Sequence, residues 1–328
     1  MLGAERLTVI RGHLKRPSAS ALEITPTNAV YGGQEDKYFR YTLPSPFLND
    51  DQRQFYEENG FIVIPKLIED ELLDQFSERF INLCDGRVPR GGITLMKDVS
   101  LMKKGATGER LYNKAQDIVY DEVFEKYFFH PKLLDYVSAF TGPNIKAVHT
   151  MLINKPPDAG SLTSRHPLHQ DLYYFPFRPE DRIVAAWTAM ERINVDNGCL
   201  VVLPGTHKGR LHQHDYPKWE GGVNKAYHGV LGHDDYKTVA LTMEKGDTVF
   251  FHPLLIHGSG ANMTNGFRKA ISSHYAASEC YYIDVKGTLQ ENISKEIEEM
   301  AKKKGIPLTM KEVWQLRSRL VRGEEGTL

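Results

Sequence analysis

The stretch His166-Pro-Leu-His169-Gln-Asp171 places a histidine and an aspartate two positions apart. In a β-strand, side chains two positions apart point to the same face, so His169 and Asp171 can present an imidazole and a carboxylate to one ion. A third ligand is expected from Glu244–Gly260, where a turn and an apolar strand are followed by His257 and small residues. Two imidazoles and one carboxylate form a facial triad that leaves other coordination positions of the metal open.

A basic residue follows one strand later, in Gly266-Phe-Arg268-Lys-Ala-Ile-Ser272. Its apolar and small neighbours predict a strand that aims the guanidinium of Arg268 into the protein. A buried arginine needs an anion, and its planar fork suits a carboxylate in a bidentate arrangement. An ordinary structural salt bridge of Arg268 remains the alternative at this point.

Other histidines compete for the metal. The pair His233-Asp-Asp235 lies in a Gly/Asp-rich turn, and His212-Gln-His214 has no clearer support. His252 and His257 differ by an odd number, so one regular strand cannot aim both inward, and Pro253 favours a bend. Three histidines lack a carboxylate two positions ahead and are interpreted as structural: His149, His228 and His274.

The coarse pattern predicts one mainly β domain with flanking α-helices. Short β-rich runs alternate with turn residues at 145–154, 183–192, 199–203, 237–243, 248–256 and 268–276. Regularly spaced short strands favour an antiparallel barrel or a double-sheet sandwich. Helical periods or stop signals mark about 49–59, 72–85, 131–141, 289–303 and 308–320, with a short strand at 61–64.

Composition excludes several classes of protein. The chain has 328 residues, with 41 Lys+Arg against 42 Asp+Glu, so a nucleic-acid binder driven by phosphate neutralisation is not expected. An apolar content of 41% supports a packed core, and no apolar run is long enough to span a membrane. The 3 cysteines show no paired spacing, which argues against a disulfide scaffold and a cysteine-based zinc site.

The first residues predict a targeting segment. Arg6-Leu7 is followed after five residues by His13-Leu14, and a helix would align Arg6 with His13 and Leu7 with Leu14. The pattern resembles the N-terminal type of peroxisomal targeting signal, which an import receptor reads; a mitochondrial presequence is the alternative. We therefore expect a presequence over 1–30, a linker over 31–47 and the catalytic domain over 48–328.

The whole pattern resembles the Fe(II)/2-oxoglutarate dioxygenases of the double-stranded β-helix (jelly-roll, cupin-like) class. Longer motifs resemble one family within it, the phytanoyl-CoA dioxygenases, over roughly residues 48 to 328. The motifs that carry this resemblance lie at 151–157, 164–171, 174–179, 197–208, 217–224 and 252–260.

The resemblance implies roles for single residues. His169, Asp171 and His257 would bind Fe(II), and Arg268 would pair with the far carboxylate of 2-oxoglutarate. Four further residues would line the co-substrate pocket by similarity: Lys114, Met151, Gln170 and Trp187. O₂ would be the oxidant, and ascorbate would keep the iron reduced.

The implied reaction is α-hydroxylation of phytanoyl-CoA and related 3-methyl-branched acyl-CoAs at C2. It would be coupled to decarboxylation of 2-oxoglutarate to succinate and CO₂ in the peroxisomal matrix, as a step of fatty acid α-oxidation. Three alternatives stay open: an oxygenase for a small molecule without CoA, a catalytically silent jelly-roll binding module, and a zinc hydrolase, which needs no co-substrate arginine.

Overall fold

The computed structural model describes residues 39–158, 160, 162–220, 223–232, 237–303 and 305–328. The predicted targeting residues Arg6, Leu7, His13 and Leu14 lie outside this part of the chain. The helices are α1 Asp50–Asn59, α2 Asp70–Cys84, α3 Val99–Lys103, α4 Glu125–Phe128, α5 Pro131–Thr141, α6 Glu291–Lys303 and α7 Met310–Arg317. Short 3₁₀ helices occur at Gly108–Leu111, Asp171–Tyr174, Glu180–Arg182 and Thr206–Lys208.

The strands make up most of the central region. They are β1 Phe61–Ile64, β2 Thr94–Lys97, β3 Tyr112–Gln116, β4 Ile145–Lys155, β5 His166–His169, β6 Phe177–Arg178, β7 Ile183–Ala189, β8 Leu200–Val202, β9 His214–Asp215, β10 Gly229–Val230, β11 Val239–Leu241, β12 Thr248–Phe251, β13 His257–Ser259, β14 Arg268–Ala277, β15 Tyr281–Tyr282 and β16 Arg319–Arg322.

Two antiparallel sheets form the core of the protein. The larger has the order β1-β12-β7-β14-β4-β3-β2, with β16 added to β4, and the smaller has the order β11-β8-β13-β5. Most strand neighbours in these sheets are distant in sequence, as in a jelly roll, whereas β2, β3 and β4 follow one another in the chain. The predicted class, mainly β with flanking helices and a jelly-roll core, is confirmed.

Side chains of β12 alternate between the two faces of the larger sheet. Phe250 faces outward and stacks between Tyr136 and Phe140 of α5, at ring-centroid distances of 5.9 and 5.6 Å. Phe251 faces inward and lies 4.6 Å from the ring of His257. Because successive side chains of a strand point to opposite faces, β12 contacts a flanking helix on one face and the predicted site on the other.

Both ends of helix α1 are set by residues that the sequence shows directly. The side chain of Asn49 accepts from the backbone of Gln52, whose side chain accepts from the backbone of Asn49, completing a capping box. Gly60 ends the helix with φ of 80°, and a Cβ at this position would overlap the ring of His207. Only glycine satisfies both requirements here.

Tyr41, within the linker predicted over 31–47, is buried against the rings of His207 and His252. The division into presequence, linker and catalytic domain stays a prediction. Two predicted boundaries of secondary-structure elements are wrong. The strand predicted over 248–256 ends at Phe251, because the chain turns at Pro253 before β13 begins. The helix predicted over 308–320 ends at Arg317, because the next residues pair with β4 as β16.

Among the described residues, no helix is long and apolar enough to cross a membrane. The three cysteines, Cys84, Cys199 and Cys280, are buried and unpaired.

The Phe250→Ala change should destabilise the fold by about 3–5 kcal/mol, because it removes a fully buried ring from the contact between α5 and the sheet. Urea denaturation followed by circular dichroism measures the free energy of unfolding. Met102→Ala, at a side chain that is 50% exposed, is the control and should change it little. Equal effects of the two changes would contradict this account of the core.

Candidate metal centre and co-substrate pocket

Three elements bring the candidate ligands together. His169 ends β5, Asp171 opens the following 3₁₀ helix, and His257 begins β13. Strands β5 and β13 pair so that His257 lies directly opposite His169. One ligand atom from each residue lies within 4.8 Å of the others, and all three side chains are buried. The expectation that His169 and Asp171 share one regular strand is wrong, since the strand stops at His169, but the two side chains do meet.

Both imidazoles are oriented by the backbone. Nδ1 of His169 donates to the carbonyl of Pro167 at 2.9 Å, and Nδ1 of His257 donates to the carbonyl of Leu255 at 3.0 Å. A carbonyl only accepts, so each ring carries its proton on Nδ1 and leaves the Nε2 lone pair free. Burial lowers the pKa of His257 to about 4, which keeps this ring neutral at physiological pH.

The Nε2 atoms converge on Asp171. Nε2 of His169 lies 3.2 Å from Oδ1 of Asp171, and Nε2 of His257 lies 3.6 Å from Oδ2. Burial alone would raise the pKa of Asp171, but the neighbouring imidazoles, His274 first among them, outweigh burial and hold this pKa well below its ordinary value. Two imidazoles with Nε2 turned inward and an ionised carboxylate are the donor set that suits Fe(II), so the residues present fit the metal that the sequence predicts.

The cluster lies in a cavity of about 1050 Å³ between the two sheets. Arg268 lines the same cavity from β14 and is only 1% exposed. Its Nη2 donates to the carbonyl of Gly198 at 3.0 Å, whereas Nε and Nη1 have no hydrogen-bond partner among the described residues. Burial lowers the pKa of Arg268 to about 10, so the group stays charged near neutral pH. Two unsatisfied buried donors on one cation fit a carboxylate ligand.

Comparison with known proteins agrees with this geometry. The family model for "Phytanoyl-CoA dioxygenase (PhyH)" matches residues 56–270. The chain belongs to the phytanoyl-CoA dioxygenase family. It is 54% identical to "Phytanoyl-CoA dioxygenase, peroxisomal" of Homo sapiens, over 99% of this chain and 98% of the relative. It is 50% identical to "Probable phytanoyl-CoA dioxygenase" of Caenorhabditis elegans, over 88% of this chain and 97% of that protein.

Solved structures confirm the fold at low sequence identity. EctD from S. alaskensis in its apoform superposes with a TM-score of 0.57 at 15% identity, covering 76% of this chain and 84% of EctD. The epimerase SnoN in complex with Fe3+, alpha ketoglutarate and nogalamycin RO superposes with a TM-score of 0.54 at 17% identity, covering 71% of this chain and 85% of SnoN.

Three of the four other residues named by resemblance to the phytanoyl-CoA dioxygenase family line the cavity. Lys114 on β3, Met151 on β4 and Trp187 on β7 all do so. The guanidinium carbon of Arg268 lies 5.5 Å from the centre of the Trp187 ring. Lys114 is buried, and burial lowers its pKa to about 8, with Asp171 acting in the opposite direction.

Gln170 does not line the cavity. Its side chain is fully buried, where Nε2 donates to the carbonyls of Arg210 and Leu254 and Oε1 accepts from the backbone of His212. A direct contact of Gln170 with the co-substrate therefore stays a prediction. In this structure Gln170 instead ties the ligand-bearing segment to two loops, because its neighbours His169 and Asp171 use the inward-facing positions.

The structure adds two residues to this family site. Nε2 of His274 donates to Oδ2 of Asp171 at 2.8 Å, although His274 was interpreted as structural. Nζ of the buried Lys155 donates to Oγ of Ser259 at 2.8 Å, and burial together with Arg268 holds the pKa of Lys155 well below its ordinary value. The parity of β14 could have revealed His274, since it lies an even number of positions after the inward-facing Arg268.

The competing histidines have other partners. Nε2 of His252 lies 3.4 Å from Oδ1 of Asp181, and Nε2 of His214 accepts from the backbone of Gln170 at 2.9 Å. His228 lies 3.1 Å from Oε2 of Glu296. The pair His233 and Asp235 lies outside the described residues.

The His274→Phe change should weaken metal binding by about 10-fold to 100-fold, because Asp171 loses the hydrogen bond that orients it. His274→Gln, which keeps a donor, should recover part of the affinity. Anaerobic calorimetric titration with Co(II) measures the effect without turnover. His130→Phe is the control, since His130 pairs with Glu69 and does not line the cavity. Unchanged Co(II) affinity in His274→Phe would exclude this role.

Proposed function

We propose that this protein is an iron- and 2-oxoglutarate-dependent dioxygenase that hydroxylates phytanoyl-CoA and other 3-methyl-branched acyl-CoAs at C2. The observation that carries the proposal is the His169–Asp171–His257 cluster, which shares one cavity with a buried, partly unsatisfied Arg268. High identity over nearly the full length of peroxisomal phytanoyl-CoA dioxygenases supports the substrate and the peroxisomal location.

Each residue of the cluster has a separate task. His169, Asp171 and His257 would hold the iron, and the protonated Nδ1 atoms keep the rings turned with Nε2 toward it. The bound iron supplies activation of O₂, coupled to decarboxylation of 2-oxoglutarate to succinate and CO₂. Arg268 would hold the far carboxylate of 2-oxoglutarate through its free Nε and Nη1. Lys114, whose pKa is about 8, adds positive charge to the same cavity at neutral pH, which favours a dianion.

A zinc hydrolase would use a similar ligand set, but it has no need of a buried arginine set aside for a co-substrate. A silent binding module would not require an intact set of ligands. Dependence of succinate formation on 2-oxoglutarate separates these alternatives from the proposed oxygenase.

Incubation in air with Fe(II), 2-oxoglutarate and phytanoyl-CoA should give a product heavier by one oxygen atom, detected by mass spectrometry. Asp171→Ala should lose metal binding, succinate formation and hydroxylation together, because it removes the anionic ligand. Arg268→Met should keep metal binding and weaken 2-oxoglutarate binding. Asp196→Ala, at an exposed carboxylate, is the matched control. Normal hydroxylation by Asp171→Ala would refute the proposed site.

The affinity for 2-oxoglutarate should fall as pH rises through about 8, because Lys114 loses its charge there. The sign follows from linkage: an anion binds more tightly to the protonated form, which dominates below this pKa. Anaerobic calorimetry from pH 7 to pH 9 measures the dependence. Lys114→Met should bind more weakly at pH 7 and show a flatter profile. A parallel profile in both proteins would rule Lys114 out as the titrating group.

Import is proposed to use residues 1–30, read by the receptor for N-terminal peroxisomal signals through Arg6, Leu7, His13 and Leu14. The peroxisomal names of the similar proteins support this proposal. Ascorbate is proposed as the reductant that keeps the iron ferrous.

A fluorescent protein fused to residues 1–30 should enter peroxisomes, because the fusion carries the complete signal. The Arg6→Ala/His13→Ala double change should leave it in the cytosol, which fluorescence microscopy shows directly. A double change of Ser18 and Ser20 to Ala is the control. Mitochondrial delivery of the unchanged fusion would favour the alternative presequence.

A further inference from the structure

We propose that the C-terminal helices α6 and α7 form an acyl arm, a channel that takes the branched alkyl chain of the substrate and sets its preferred length. This inference rests on the proposed function and locates one part of its substrate. The acyl arm is defined by six apolar side chains that line the cavity: Ile293, Ile297, Met300, Val313, Trp314 and Leu316.

The sequence of α6 builds an apolar face toward the cavity. Ile293, Ile297 and Met300 are spaced by four and three residues, so they form one stripe of the helix. The opposite face carries exposed Lys295 and Glu299. A stripe of aliphatic and thioether side chains suits hydrocarbon and disfavours the phosphates of CoA, which would lose their water without a partner.

The arm is continuous with the metal centre. The Trp314 ring meets the ring of His149 edge-on at 5.4 Å, and His149 stacks on His274 at 5.5 Å. His274 in turn contacts Asp171, and all four residues line the same cavity. An alkyl chain that starts beside the metal centre therefore has an apolar path along the two helices.

Hydrogen bonds fix the wall in place. Nε2 of Gln290, just before α6, reaches the carbonyls of Leu172 at 2.9 Å, Tyr173 at 3.2 Å and Phe175 at 2.9 Å. These carbonyls belong to residues one, two and four positions after Asp171 in the chain. The start of α6 is thus held at a set position relative to a metal ligand, as a length-selective channel requires.

Further along α6, Glu296 ties the helix to the 214–230 region. Its Oε1 accepts from the hydroxyl of Tyr216 at 2.6 Å, and its Oε2 lies 3.1 Å from Nε2 of His228. The helix is therefore held at two points, and its apolar stripe stays turned toward the cavity.

Narrowing the arm tests the inference. Met300→Trp should lower kcat/KM for phytanoyl-CoA by about 10-fold to 200-fold, the range expected for a misfit in an apolar pocket, and leave a short 3-methyl-branched acyl-CoA nearly unaffected. Val313→Phe, on the other helix, should act in the same direction. Glu299→Trp introduces the same large side chain on the exposed face of α6 and is the matched control.

Two further measurements separate the possible failures. Thermal melting and 2-oxoglutarate binding should be unchanged in the variants, which shows that the fold and the metal centre are intact. Calorimetric binding of phytanoyl-CoA to the protein loaded with Co(II) reports on the arm even without turnover. If the unchanged protein binds phytanoyl-CoA but gives no hydroxylated product, the proposed function fails, and weaker binding to Met300→Trp than to Glu299→Trp still supports the arm.

Three results would overturn the acyl arm. The first is one chain-length profile shared by Met300→Trp and Glu299→Trp. The second is an equal loss for short and long chains in Met300→Trp and Val313→Phe. The second result would mean that pantetheine, common to all acyl-CoAs, lies along α6 and α7. Absence of phytanoyl-CoA binding to the unchanged protein would overturn the arm together with its substrate.

Discussion

The pairing of β5 with β13 is the constraint on which the candidate site depends. It sets His257 directly opposite His169, so two imidazoles from distant parts of the sequence become neighbours. The approach is close: a Cβ on Gly258 would lie 2.9 Å from the carbonyl oxygen of His166. The small residue after His257 is therefore a condition for the pairing, and the ligand geometry follows from backbone hydrogen bonds between the strands.

The electrostatic character of the cavity depends on buried basic side chains that have no ion-pair partner in the described part of the chain. Arg268 and Lys155 are both buried, and they donate to uncharged groups, the carbonyls of Gly198 and Gly260 and the hydroxyl of Ser259. Burial and the neighbouring Arg268 hold the pKa of Lys155 well below its ordinary value. The charged Arg268 has two donors without a partner among the described residues, and such an unpaired buried cation destabilises the protein. Binding of a carboxylate would offset this destabilisation, because it would satisfy both donors.

Local patterns explain which parts of the fold and site could be predicted. The extent of α1 and the inward direction of Arg268 depend on nearby residues, and the sequence predicts both. His274 lies on the same face of β14 as Arg268, but its contact with Asp171 could not be predicted, because Asp171 lies 103 residues away in sequence. The hydrogen bonds of Gln170 to two loops could not be predicted, because resemblance transfers a position along the chain, whereas the direction of a side chain depends on the turn that follows β5. Contacts of α6 with the segment after Asp171 are set by tertiary packing, which spacing does not encode.

The dependence of Leu172, Tyr173 and Phe175 on Gln290 has a consequence for biosynthesis. The ribosome synthesises all three candidate ligands before it synthesises α6. A nascent or prematurely terminated chain therefore contains the candidate metal ligands but lacks the helix α6 that lines the same cavity. Such a chain would lack the Gln290 amide that donates to the carbonyls of Leu172, Tyr173 and Phe175. The carbonyls of Leu172 and Phe175 would keep other donors, the backbone of Phe175 and the side chain of Arg178. The segment that follows Asp171 would therefore be held by fewer hydrogen bonds than in the finished protein.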